Sequence, residues 1–215
     1  MNGRFESHLF WGAHSPFSTF IGAGLIIMAS TRFAFAIICA VSLLWVYGFS
    51  ALIFSSARKI MPIRGKMVIL LFLSAFLCGI FMFLVGLINP LLIMGTGFFL
   101  LLIPSCCLGS GLFEASESTH PYELVFRALL EAAVLAGIIL GLALIREPLG
   151  MGTLSFPGGV QGIWEVSGSQ ESDAFIPIQI LSASAGGLLL LGYGIALFRH
   201  FRDQNAKLKH TFEED

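Results

Sequence analysis

The sequence predicts an all-α polytopic membrane protein with six transmembrane helices, arranged as two inverted three-helix repeats in which helices 1 and 4 are interrupted. Three observations predict it. Of 215 residues, 56% are apolar and only 12% are Asp, Glu, Lys or Arg, about half the usual charged share. Mean hydropathy is +0.88. The apolar residues fall in long continuous runs rather than in the alternating pattern of a membrane β-barrel. A soluble enzyme domain and a disordered tail are excluded by this composition. So is a nucleic-acid-binding domain, because net charge is −1 and the 12 Lys and Arg are scattered, whereas a phosphate backbone needs a concentrated basic face.

A helix rises 1.5 Å per residue, so a hydrocarbon core of ~30 Å needs about 20 apolar residues. In chain order the runs are Leu9 to Ser30, with His14 and Pro16 inside it, then Phe33 to Phe54 and Met67 to Ile88, both uncharged. Leu91 to Leu108 contains Pro104, Leu124 to Ile145 carries Arg127 and Glu131, and Phe175 to Phe198 is uncharged. The chain reads as a single membrane domain over residues 1–215. The first repeat covers about 9–88, the second about 91–198, and 199–215 form a tail. No signal-peptide pattern is read at the start.

Charge sets the expected orientation. Arg58, Lys59, Arg64 and Lys66 lie between runs 2 and 3, and Arg199, Arg202, Lys207 and Lys209 follow run 6. With six helices these segments share one side. The positive-inside rule makes that side, with both termini, cytoplasmic. The loop Arg146 to Ala174 then falls outside, and its Phe156-Pro157-Gly158-Gly159 stretch reads as turn-forming only.

Runs 1 and 4 share a fault: each holds a proline and a following stretch of small residues. Interruptions at matching places in two three-helix halves are the mark of an inverted repeat, although Gly and Pro are also frequent where membrane helices simply pack closely. Cys106-Cys107 is the chemically suggestive pair, since thiolates ligate iron–sulfur clusters. Adjacent small packers are the plainer reading, as they are for Cys39 and Cys78. Glu123, Arg127 and Glu131 form a stripe at i, i+4, i+8. Glu131 is a candidate for ion passage because an ionisable group inside a span is a functional candidate. Arg146 and Glu147 close the same run, as a helix-end anchor or a contact with a partner.

The segment Leu144 to Leu154, Leu-Ile-Arg-Glu-Pro-Leu-Gly-Met-Gly-Thr-Leu, resembles the "L-R-E-x-x-G-x-G-T-L" motif of the integral membrane subunits of Rnf complexes and of the sodium-pumping NADH:quinone oxidoreductase. Gly97 to Cys107 is similar to that family's "G-I-F-I-P-L-I-V-T-N-C". Gly111, Glu114 and Ala115 match "V-G-R-A-E-A", and Trp11 to Gly22 is similar to "W-K-N-N-S-A-L-V-Q-L-L-G". The resemblance covers nearly the whole chain. It implies a subunit, inactive alone, of an ion-translocating electron-transport complex in a bacterial inner membrane, of the ferredoxin:NAD or NADH:quinone type. The implied partners are a homologous subunit of inverted orientation and subunits carrying flavin and iron–sulfur groups. The implied cofactor is a [2Fe–2S] cluster shared with that partner. Cys107 falls on the family's second cysteine and Cys106 lies beside it, whereas the first, in "L-G-L-C-P", falls on Gly24. The flavin-attachment "S-G-A-T" does not occur, so no covalent flavin is expected. The alternatives are a secondary transporter or permease subunit, and a structural subunit that has lost its redox centre.

Overall fold

The computed structural model describes residues 20–57, 65–109, 121–158, 162–167, 179–194 and 196. The chain is a polytopic helical membrane protein. Its helices are α1 (Phe20–Ala29), α2 (Phe33–Ala57), α3 (Lys66–Ile88), α4 (Pro90–Leu100), α5 (Ile103–Gly109), α6 (Pro121–Met151), α7 (Gln179–Ser182) and α8 (Ser184–Gly194). Strands β1 (Thr153–Pro157) and β2 (Ile163–Ser167) lie between α6 and α7. Among the described residues four helical stretches are long and apolar enough to cross a membrane: α2, α3, α4 with α5, and α6. His14 and Pro16, read above as features of run 1, lie outside the described residues.

The interior is built by a deep helix pair. α2 packs most extensively against α6, and the two run antiparallel: Phe33 meets Glu147, and Gly48 lies against Leu129. The face of α6 carrying Leu124, Ala128, Ala132, Leu135, Ala136, Ile139 and Ala143 is buried. Those positions recur every three or four residues, as one helix face requires. Four of the seven are alanine, which lets two backbones approach where no hydrophobic force draws helices together. Phe72, Phe76 and Phe83 of α3 and Met94 and Phe98 of α4 are exposed. In water that surface would be an aggregation patch; in a bilayer it meets its solvent.

Local chemistry sets the breaks. Between α3 and α4, Asn89 is extended at φ −152°, ψ 101°. Pro90 imposes this on the residue before it and then serves as a first helical residue. The interruption of run 4 sits at Leu101–Leu102 rather than at Pro104, which lies in the first turn of α5. A proline has no N–H, so the carbonyl four residues back loses its partner. That carbonyl is Leu100, and the Cys78 thiol of α3 donates to it at 3.1 Å. Cys78, expected only to pack, completes the ladder that Pro104 opens. Cys78→Val should lower stability by about 1 kcal/mol, while Cys78→Ser should preserve it. In a Pro104→Ala background the Cys78→Val cost should vanish, because an alanine at that position supplies the N–H that proline lacks. Denaturant titration of the four variants in micelles measures this cycle.

Three other features depart from the sequence reading. Run 5 does not stop at Ile145 but continues as helix through Pro148 to Met151, so Arg146 and Glu147 lie within the helix. The loop read as turn-forming holds a short antiparallel hairpin pairing Leu154 with Val166 and Phe156 with Trp164. Its ends turn on Gly152 and Gly162, both at positive φ (70° and 83°), which glycine adopts without steric cost. Finally, the described part of run 6 breaks at Ala183, between α7 and α8. Gly186 makes this possible: a Cβ there would fall 2.2 Å from the Ile180 carbonyl oxygen.

Candidate functional site: a buried Arg-Glu clamp and the cysteine pair

Arg146 and Glu147 are each 1% exposed. Burying an ionised group away from water costs several kcal/mol unless it is fully partnered. The partners come from three other helix ends. The Arg146 guanidinium donates through Nη1 to the Ile27 carbonyl at 2.7 Å and to Ser30 Oγ at 3.2 Å. Through Nε it donates to the Leu181 carbonyl at 2.7 Å, and through Nη2 to the Ala183 carbonyl at 2.9 Å. Ile27 lies in the last turn of α1. Leu181 and Ala183 flank the break after α7. Helix C-termini carry unsatisfied carbonyls and a partial negative charge. One cation therefore closes two of them. The planar fork of arginine reaches these separate acceptors from three nitrogens, where lysine has only one. Gly187 leaves the room, since a Cβ there would lie 3.1 Å from Arg146 Nη1.

Glu147 does the converse. Its Oε2 accepts from the Phe33 backbone N–H at 2.5 Å. Ser155 Oγ accepts from the next N–H, that of Ala34, at 3.2 Å. These are the first amides of α2, orphan donors at the positive end of its dipole. Phe33 also stacks edge-on against Phe156, with ring centroids 5.7 Å apart. The Arg-Glu-Pro-Leu-Gly-Met-Gly-Thr-Leu stretch and the serine after it thus form one device. Its charged pair and Ser155 hold the ends of α1, α2 and α7. The sequence singled out Arg146 and Glu147 but missed Ser30, Ser155 and Gly187, whose partners are far away in the chain.

Cys107 is fully buried and Cys106 nearly so, at 0% and 4% exposed. Both belong to the protein's own apolar core, together with Cys39 and Cys78. Ser50 of α2 and Glu131 of α6 lie beside Cys107. Glu131 faces Arg127 one turn back, and its Oε2 has no hydrogen-bond partner among the described residues. Gly24 lies in α1, where a Cβ would meet nothing within 4 Å.

A model of the Rnf-Nqr subunit membrane-protein family matches residues 7–194. The chain belongs to the Rnf-Nqr subunit family. No curated protein matches it at a significant level. As an Rnf-Nqr subunit it is a membrane component of a multisubunit complex. Its Arg-Glu segment, one of the stretches that carry the resemblance, is the clamp described above.

The family resemblance brings a [2Fe–2S] cluster into question. Such a cluster needs four thiolates or equivalent ligands. Among the described residues no group of three His, Cys, Asp or Glu is placed to hold a metal ion. Gly24 offers no ligand, and Cys106 and Cys107 are sealed inside this Rnf-Nqr subunit rather than presented on its surface. The described residues of this chain alone do not supply the four ligands of such a cluster.

Proposed function

We propose that this chain is an integral subunit of an Rnf/Nqr-type ion-translocating electron-transport complex, acting with a homologous subunit of inverted orientation to relay electrons across the bilayer. The observation that supports this most is the family match over residues 7–194. In this reading the chain lies in a bacterial inner membrane as six helices in two inverted repeats, with both termini cytoplasmic. Lys66 begins α3 at the end opposite the hairpin, in keeping with a cytoplasmic basic connection. Glu131 is the candidate for ion passage, because among the described residues it is the ionisable side chain with an unpartnered buried oxygen.

Gentle affinity purification from native membranes, with mass spectrometry of the co-purifying chains, tests the reading. Recovery with an inverted homologous membrane subunit and with flavin and iron–sulfur subunits is the expected result. Recovery alone or as a homo-oligomer would overturn it and put the transporter reading first.

A second reading, a subunit that has lost its redox centre, is favoured by Gly24 and by the burial of Cys107. It predicts that Cys107→Ala leaves the complex's iron content and turnover unchanged. If Cys107 ligates a shared cluster, the same change removes the associated paramagnetic resonance signal and most of the turnover.

A further inference from the structure

The hairpin sits where membrane-crossing helices end. It starts two residues after α6 stops at Met151. Ser155 and Phe156 fasten β1 to the first turn of α2. At the far end of the hairpin, Gly162 comes against Asn89 and Leu92, at the junction of α3 and α4. Four helix ends therefore lie at one level, and the hairpin runs along it.

The hairpin has two unlike faces. Directly opposed residues in an antiparallel pair share a face, and successive residues alternate. Leu154 with Val166 and Phe156 with Trp164 thus make one face entirely apolar. Thr153, Ser155 and Glu165 lie on the other, beside Pro157 and Ile163. On that face Glu165 accepts from Arg32 Nη1 at 2.7 Å, an ion pair open to solvent. On the apolar side Trp164 is 66% exposed and Val166 46%. An indole is amphipathic. Where helices leave a bilayer, its preferred surroundings are the boundary between headgroups and acyl chains.

We propose that the apolar face of this hairpin is a lipid-docking surface, lying in the headgroup–acyl boundary of the bilayer with Trp164 as its anchor. The hairpin is the strand counterpart of an interfacial amphipathic helix: apolar side chains enter the lipid, and the charged pair stays at the wet side. The occupant is lipid because the ends of the membrane-crossing helices beside the hairpin are themselves exposed and apolar, at Ile88 and Leu91 around Asn89 and at Leu149 and Met151 before β1.

The test uses the full chain carrying Trp11→Phe and Trp45→Phe, so that Trp164 is the remaining tryptophan. It is reconstituted in phosphatidylcholine vesicles, alone and within its complex. Lipids brominated near the top of the acyl chain are expected to quench Trp164 emission in both states, more than lipids brominated near the chain end. Quenching by aqueous acrylamide with none by either lipid would overturn the proposal in favour of water. Lipid quenching of the isolated subunit that disappears in the complex would overturn it in favour of a protein partner. Where loss of Trp45 disturbs folding, a spin label on Val166→Cys reads the same property, since Cys39, Cys78, Cys106 and Cys107 are buried. Oxygen should then relax the label more than a water-soluble nickel chelate, and the reverse order would overturn the proposal.

Discussion

Arg146→Met is expected to destabilise the subunit by about 3 kcal/mol, with three carbonyls at about 1 kcal/mol each left without their charged donor. The oxygens concerned belong to Ile27, Leu181 and Ala183. Methionine fills a similar volume and packs adaptably, so the loss comes from bonding rather than from a cavity. Arg146→Lys should recover only part of it. An ammonium keeps the charge but is a compact point donor with one nitrogen in place of the three that bond carbonyls on α1 and on the α7–α8 break. The damage should be local. Hydrogen exchange should rise first at the end of α1 and around Ala183, while the α2–α6 pair keeps its protection. Denaturant titration in micelles, with exchange read by mass spectrometry, checks both statements. Unchanged stability in Arg146→Met would show that the clamp does not hold these helices.

Glu147→Ala is expected to cost about 2 kcal/mol, the upper range for loss of an N-terminal cap in a partly buried dipole geometry. Two terms add here. The Phe33 N–H loses its acceptor, and the carboxylate charge at the positive end of the α2 dipole is lost with it. Glu147→Gln separates them, because the amide oxygen can still accept from Phe33 while the charge is gone. The Gln variant should therefore fall between wild type and Ala. Ser155→Ala should cost less, about 1 kcal/mol, because its bond to Ala34 is between neutral groups. The Glu147→Ala, Ser155→Ala pair should be non-additive, since both cap one helix turn. The same denaturant titration measures all four variants.

What the sequence shows follows from which physical constraints are local. The crossing helices were legible because the bilayer imposes length and apolarity on each run separately, as in Phe33 to Phe54 and Met67 to Ile88. Arg146 and Glu147 were legible as anomalies, since charge at a span end needs an explanation. Their roles were not, because Ile27 lies 119 residues from Arg146, and Phe33 lies 114 from Glu147. No periodicity reports which helix ends will meet. The hairpin did leave a signal in the alternation of Leu154, Phe156, Trp164 and Val166. Five-residue strands beside Pro157 and several glycines gave too short a pattern to distinguish from turns. The break at Ala183 was announced only by Gly186 and Gly187, and paired glycines are commonplace in membrane helices.

The clamp also imposes an order on biosynthesis. Helix α1 leaves the ribosome 119 residues ahead of the arginine that closes its end. At roughly 5–20 residues per second that is a delay of about 6–24 s. During that interval the end of α1 must be served by water, by lipid headgroups or by the insertion machinery, because its own partner has not been made. Helix α7 and the break at Ala183 arrive later still and complete the set. The insertion of this protein therefore cannot be a simple succession of finished spans. Helix α1 is provisional until α6 is in place, and a nascent chain stalled before Arg146 would present quality-control proteases with an open helix end at the membrane.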